Sequence, residues 1–168
     1  YELLSEAPAD WTGSYVITNG KTNGMTVLKG VSGTKRIESA SAGAAAAFAS
    51  TGMTLEGDQL SNVTDAYVFT VAANGEKFTI RNAATGMYLA NRGGYLYSYK
   101  TDAASYNRWT LAMNEGTVDA TNTASRMLSH LGFSSKNYFM MSRSASAEIF
   151  FWKLAGASEI TTYTTVIS

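Results

Sequence analysis

The chain of 168 residues contains no cysteine. That excludes a disulfide scaffold, a thiolate nucleophile and any zinc site with sulfur ligands. Proline is almost as scarce: Pro8 is the only one, so turns must be made by the 15 glycines together with Asn, Asp and Ser. The single histidine, His130 in "RMLSHLGF", cannot form a multi-histidine metal site, and no Asp or Glu lies within ten residues of it. Net charge is missing as well. Thirteen Lys and Arg balance 13 Asp and Glu, and the densest cationic spot, Lys35-Arg36, is too small to track a phosphate backbone. Nucleic acid is therefore not an expected partner. No apolar run approaches the roughly 18 residues of a membrane helix, so membrane insertion is not expected either.

What the chain does hold is a series of short segments with the period of strands. Its 45% hydrophobic content and mean hydropathy of −0.09 are those of an ordinary globular domain, long enough to bury a real core. Apolar and polar residues alternate in "GSYVITN", "AYVFTVA", "KFTIRN", "GYLYSYK", "RWTLAM", "NYFMMS" and "EIFFWKL", with Gly, Asn and Ser clusters between them. This pattern predicts an all-β domain. The one helical rival is "ESASAGAAAAFAS", residues 38–50, where alanine favours a short helix while Gly43 and the flanking serines oppose it.

The segments repeat. Ile17-Thr18-Asn19 followed by Gly24-Met25-Thr26-Val27 is echoed by Ile80-Arg81-Asn82 followed by Gly86-Met87-Tyr88-Leu89. A fainter third copy is Val118-Asp119-Ala120 followed by Arg126-Met127-Leu128. Each copy is closed by an aromatic run: "YVFTV" around Phe69, "RWTLA" around Trp109 and "FFWKL" around Phe151. Three units of about 40 residues result, the first carrying an insertion at about 35–60 that lies outside the basic plan. One unit of about four short strands cannot bury its apolar face alone, whereas three around an axis share a core and remove exposed sheet edges. The expected fold is thus an all-β closed barrel, β-trefoil-like, with Phe69, Trp109 and Phe151 as core layers. The expected organisation is a linker or domain approach at 1–10, a single barrel domain at 11–154 and a C-terminal extension or linker at 155–168, with both ends reading as cut from a longer protein.

"ATGMYLANRGGYLYSYKT…NRWTLA" resembles the β-trefoil unit of fascin-like and lectin-like modules: a Gly-x-Tyr-Leu turn, a short hairpin and a closing Trp or Phe. From Pro8 to about Leu154 the chain also resembles an accessory β-domain of large secreted or surface proteins of gut Gram-negative bacteria. The resemblance implies an exported protein, secreted or at the cell surface, whose partners are other domains of the same polypeptide and a glycan or another surface protein. It departs from the ricin-type lectins, whose closing Gln-x-Trp is replaced by Asn107-Arg108-Trp109, so no sugar site is carried over from them.

Catalytic constellations are scarce. Gly-x-Ser-x-Gly does not occur, which leaves a nucleophile elbow without support. The carboxylate pairs Glu56/Asp58 and Glu115/Asp119 sit in Gly- and Asn-containing turns, where acids serve the turn and solubility. "GDQ" and "NEG" lack calcium-loop spacing. No catalytic residue, metal site or cofactor is expected, and His130 reads as structural.

The tyrosines carry the sharper question. In an extended strand Tyr95, Tyr97 and Tyr99 share one face, and Leu96, Ser98 and Lys100 share the other. With Leu96 inward, a tyrosine stripe lies outside beside Arg92 and Tyr106, suited to stacking on sugar rings or docking a peptide. With the tyrosines inward they are core, and the polar character of Ser98 and Lys100 favours this half-buried, structural placement. The ligand-binding candidates are therefore Arg92, Tyr95, Tyr97, Tyr99 and Tyr106. The expected function is a non-catalytic binding or adhesion module of an exported bacterial protein, with a glycan as candidate ligand. The alternative is a structural spacer without a ligand, which would have no use for an exposed aromatic stripe.

Overall fold

A computed structural model describes residues 1–133, 136–144 and 148–155. The extension expected from residue 155 onward lies, past Ala155, outside them. Among the described residues there is no α-helix. The strands run in order as β1 (Glu2–Leu3), β2 (Gly13–Asn19), β3 (Thr26–Leu28), β4 (Lys35–Arg36), β5 (Ala45–Ala47), β6 (Thr54–Glu56), β7 (Gln59–Ser61) and β8 (Phe69–Asn74). They continue as β9 (Lys77–Asn82), β10 (Tyr88–Arg92), β11 (Tyr95–Tyr99), β12 (Trp109–Asn114), β13 (Thr117–Asn122), β14 (Met127–Phe133), β15 (Lys136–Ser142) and β16 (Ile149–Lys153). All seven alternating runs become strands: β8 and β12 bury alternate residues and leave the others exposed or partly covered, whereas β2 and β16 are buried on both faces, between the main core and a second cluster.

Antiparallel ladders join β16 to β2, β2 to β8, β8 to β9, β9 to β12 and β12 to β13. A sixth ladder, between β13 and β16, would complete a closed barrel. It is absent, although the two strands lie beside each other, so the sheet is open at that seam. The reason is competition for an edge. A strand has two edges, and β16 gives one to β2 and the other, at Trp152 and Lys153, to β1. Leu4 N–H adds a bond to Phe151 O. The expected linker at 1–10 is thus in part a strand, the expected closed barrel is not formed, and across the open seam side chains of Val118, Ala120, Ile149 and Phe151 share the common core.

Register reveals how the units repeat. Phe69 faces Asn82, Trp109 faces Asn122 and Ile149 faces Asn19. Phe69, Trp109 and Ile149 thus recur at a constant spacing of 40 residues, and the next positions on the same face, Val71, Leu111 and Phe151, do the same. All six are buried in one cluster. Phe151 is core as expected, but it belongs to the second of these layers, and the true third opening segment is Ala120-Thr121-Asn122, two residues beyond the one the apolar pattern suggests.

The three asparagines do equivalent work. Their Nδ2 groups donate to backbone carbonyls just ahead of each closing strand: Asn19 to Glu148 O, Asn82 to Ala66 O and Asn122 to Tyr106 O, at 2.8, 2.9 and 2.8 Å. Each one clips the end of one unit to the start of the next.

The insertion is not the detached decoration its length suggested. The alanine tract forms β5 rather than a helix, pairing with β3 through Thr26↔Ala47, Val27↔Ala46 and Leu28↔Ala45. Gly43, with φ 77°, breaks any helix there, and Ala44 is buried in the core, so pairing overrides alanine's local preference. A 3₁₀ turn, Phe48–Ser50, follows. Beyond it β6 and β7 fold over a second cluster built on Val16, Phe48, Met53, Leu60, Tyr67 and Trp152. Upstream, β4 adds a strand to the outer edge of β11.

Candidate functional site

The site rests on the β10–β11 hairpin. Its two-residue turn, Gly93-Gly94, has φ of 61° and 90°, a left-handed pair that only glycine adopts without a Cβ penalty. The turn fixes the register: Arg92 faces Tyr95, Ala90 faces Tyr97 and Tyr88 faces Tyr99 on one side of the hairpin. Asn91 with Leu96 and Leu89 with Ser98 occupy the other side, which is buried.

The tyrosines therefore point outward, contrary to the orientation favoured by the polarity of Ser98. That residue is 3% exposed, and its hydroxyl is satisfied by donating to Val31 O at 2.7 Å. A small polar group with a dedicated acceptor is inexpensive to bury. Tyr95 is 41% exposed, while Tyr97, Tyr99 and Tyr106 are half-buried and Arg92 is exposed.

The five expected residues come together. The Arg92 guanidinium lies 5.9 Å from the ring centroids of both Tyr97 and Tyr106, and the Tyr99 and Tyr106 rings are 5.3 Å apart. Tyr106 is held by its loop: its carbonyl accepts from Asn91 N–H and Asn122 Nδ2, and Asn107 Nδ2 closes the loop onto Thr101 O. Arg108 pairs with Asp102 at the same loop.

Three further residues belong to this surface and were not picked out by sequence. Arg36, delivered by β4, stacks 3.7 Å above the Tyr95 ring centroid. Arg81 lies 5.0 Å from the Tyr88 ring. Glu38, from the same inserted segment, is buried, and its Oε1 accepts from Leu96 N–H at 3.2 Å and Met141 N–H at 2.9 Å. This carboxylate ties the β10–β11 hairpin to β15. Next to it lies an open depression of about 560 Å³ lined by Arg36, Glu38, Ser39, Ala40, Lys136 and Tyr138.

The remaining candidates are scattered. Glu56 and Asp58 are exposed on the β6–β7 hairpin; Glu115 occupies the β12–β13 turn with φ 51°, and Asp119 accepts from Asn114 Nδ2. Asp58 and Glu115 meet Glu148 around a smaller depression of about 290 Å³, but among the described residues no group of three His, Asp or Glu is placed to hold a metal. His130 donates from Nε2 to Asn137 Oδ1 at 2.6 Å and packs edge-on against Phe139. Burial holds its pKa below the ordinary value, only partly offset by the Asn137 bond.

Fold and surface together define an all-β protein bearing an aromatic and cationic strip on one hairpin. The chain matches no protein-family model and no curated protein sequence. Among solved structures it is similar to a chain of the cytolethal distending toxin of Haemophilus ducreyi, at 12% identity and a TM-score of 0.55, over 85% of this chain and 84% of that one. It is also similar to a salivary protein of Culex quinquefasciatus from the Cysteine and Tryptophan-Rich family, at 17% identity and a TM-score of 0.56, over 92% and 100% of the two chains. Identities this low establish likeness of fold, and one neighbour outside bacteria leaves the expected origin in gut Gram-negative bacteria without support.

Proposed function

We propose that this chain is a non-catalytic binding or adhesion module of an exported protein, built on a β-trefoil-like plan of three units, with a glycan as its ligand. The observation that carries the reading is the outward turn of Tyr95, Tyr97 and Tyr99 beside Arg92 and Tyr106. A strand that buries Leu96 and Ser98 leaves a large aromatic 41% exposed, covered on one face by Arg36 and otherwise open to a ligand. Tyrosines pinned by a tight hairpin offer broad, rigid contact area at low entropic cost, which suits sugar rings. The 40-residue register supports the three-unit plan, and a toxin and a salivary protein as structural neighbours support placement outside the cell. An oligosaccharide array probed with the wild-type chain and with Tyr95→Ala tests the reading. Binding that falls about tenfold or more in the variant is expected, since a central aromatic contact carries about 1–3 kcal/mol. Silence across all glycans would turn the assignment towards the spacer.

A further inference from the structure

The charge of this surface indicates the charge of its ligand. Along the strip and the adjoining depression the ionisable groups other than tyrosine include Arg36, Arg81, Arg92, Lys136 and Glu38, with the Arg108–Asp102 ion pair on the Tyr106 loop. Cations and acids balance over the whole chain, yet here these five cations stand against two carboxylates, one paired with Arg108 and the other buried against two backbone N–H groups. Arg36, Arg92 and Lys136 are exposed, and none forms an ion pair among the described residues. Arg36 uses Nε on Glu38 O and its flat face on Tyr95, which leaves its terminal N–H groups without a hydrogen-bond partner among the described residues. A stacked guanidinium with free in-plane donors is arranged to receive an oxyanion.

We infer that the ligand is an anionic glycan, with sugar rings on the tyrosines and a sulfate or carboxylate seated between Arg36 and Lys136 in the depression of about 560 Å³. This rests on the binding-module reading above and adds the ligand's charge to it. Glu38 fixes the seat, since the same segment carries Arg36 and its carboxylate is anchored to both flanking hairpins.

Surface plasmon resonance with the full chain tests it, using an immobilised sulfated uronate polysaccharide, its desulfated form and a neutral polysaccharide. At least one acidic form is expected to bind about tenfold or more tighter than the neutral one, and to weaken about tenfold between roughly 50 and 200 mM salt. Arg92→Gln and Lys136→Gln, both on exposed side chains, should each remove most of that advantage. Retention by the desulfated form assigns the seat to a carboxylate and loss assigns it to a sulfate; either supports the inference. Neutral and acidic forms binding equally, or both variants binding like wild type, overturn it while leaving the binding module standing. Failure of every polysaccharide to bind overturns both.

Discussion

Asn82→Ala probes the way the units are joined. The Asn82 side chain is 2% exposed; its Nδ2 donates to Ala66 O at 2.9 Å and Val68 O at 3.2 Å. Its Oδ1 accepts from Ala84 N–H, Thr85 N–H and Thr85 Oγ1 at 3.1, 3.0 and 3.1 Å. Alanine leaves two carbonyls and two N–H groups without these partners. At about 1 kcal/mol each, discounted where water can reach the turn, the loss is about 3–4 kcal/mol. Asn122 keeps fewer bonds, to Tyr106 O, Ala124 N–H and Thr123 Oγ1, so Asn122→Ala should cost about 2 kcal/mol. Asn19 has one such bond, to Glu148 O, near the surface, and its loss should cost about 1 kcal/mol or less. Equilibrium urea unfolding reads this order directly, and for a domain of this size Asn82→Ala should lower Tm by about 10 °C. Gly30→Ala offers an internal check: a Cβ there would sit 2.1 Å from Asn82 Oδ1, so it should disturb the same network and fail to add to Asn82→Ala. Equal costs at all three asparagines, or a cost under about 1 kcal/mol at Asn82, would refute the idea that these amides hold successive units together.

Two other outcomes follow from buried groups. Glu38→Ala should destabilise by about 2–4 kcal/mol and speed amide exchange at Leu96 and Met141, whereas Glu38→Gln, which keeps an acceptor, should retain most of the protection; unchanged exchange in Glu38→Ala would count against the bridge. His130 has a folded pKa below its ordinary 6.5, so the unfolded chain binds the proton more readily: its contribution should be level above about pH 7 and fall as pH drops through 6.5, and His130→Gln should flatten that part of a urea-midpoint profile.

Much of this architecture was legible because it depends on local period. Strand alternation, a recurrence of core residues at about 40 residues and the core role of Trp109 all follow from neighbouring residues. The slips came where apolar spacing is degenerate. Val118 and Ala120 share a face two residues apart, as do Ile149 and Phe151, so only the asparagine after each opening segment marks the frame. Tyr97 and Tyr99 are half-buried as expected, but their outward facing was not legible because the acceptor for Ser98 lies 67 residues away, at Val31. Arg36 escaped notice for the same kind of reason: nothing in Lys35-Arg36 announces an edge pairing with Tyr97 and Ser98. Long-range pairing also enlisted Glu2 and Leu3 into the sheet and thereby left the ring unclosed.

The 40-residue recurrence explains the core but cannot by itself explain the aromatic and cationic strip, since three equal units would present three equal hairpins. They do not. The first hairpin, β3 with β5, is threonine, valine, leucine and alanine; the third, β14 with β15, turns His130 onto Phe139; the second alone carries tyrosines at four outward or edge positions. It is also the hairpin that receives an extra strand, and that strand brings the closest cation–ring contact, Arg36 on Tyr95. An insertion in one unit thus completes a surface on the next. Glu38 makes the arrangement rigid by satisfying backbone N–H groups on two different hairpins at once, which a surface salt bridge would not achieve. The departure from equal hairpins is thus concentrated within one strand's reach of Tyr95, where the inserted segment and the second hairpin meet.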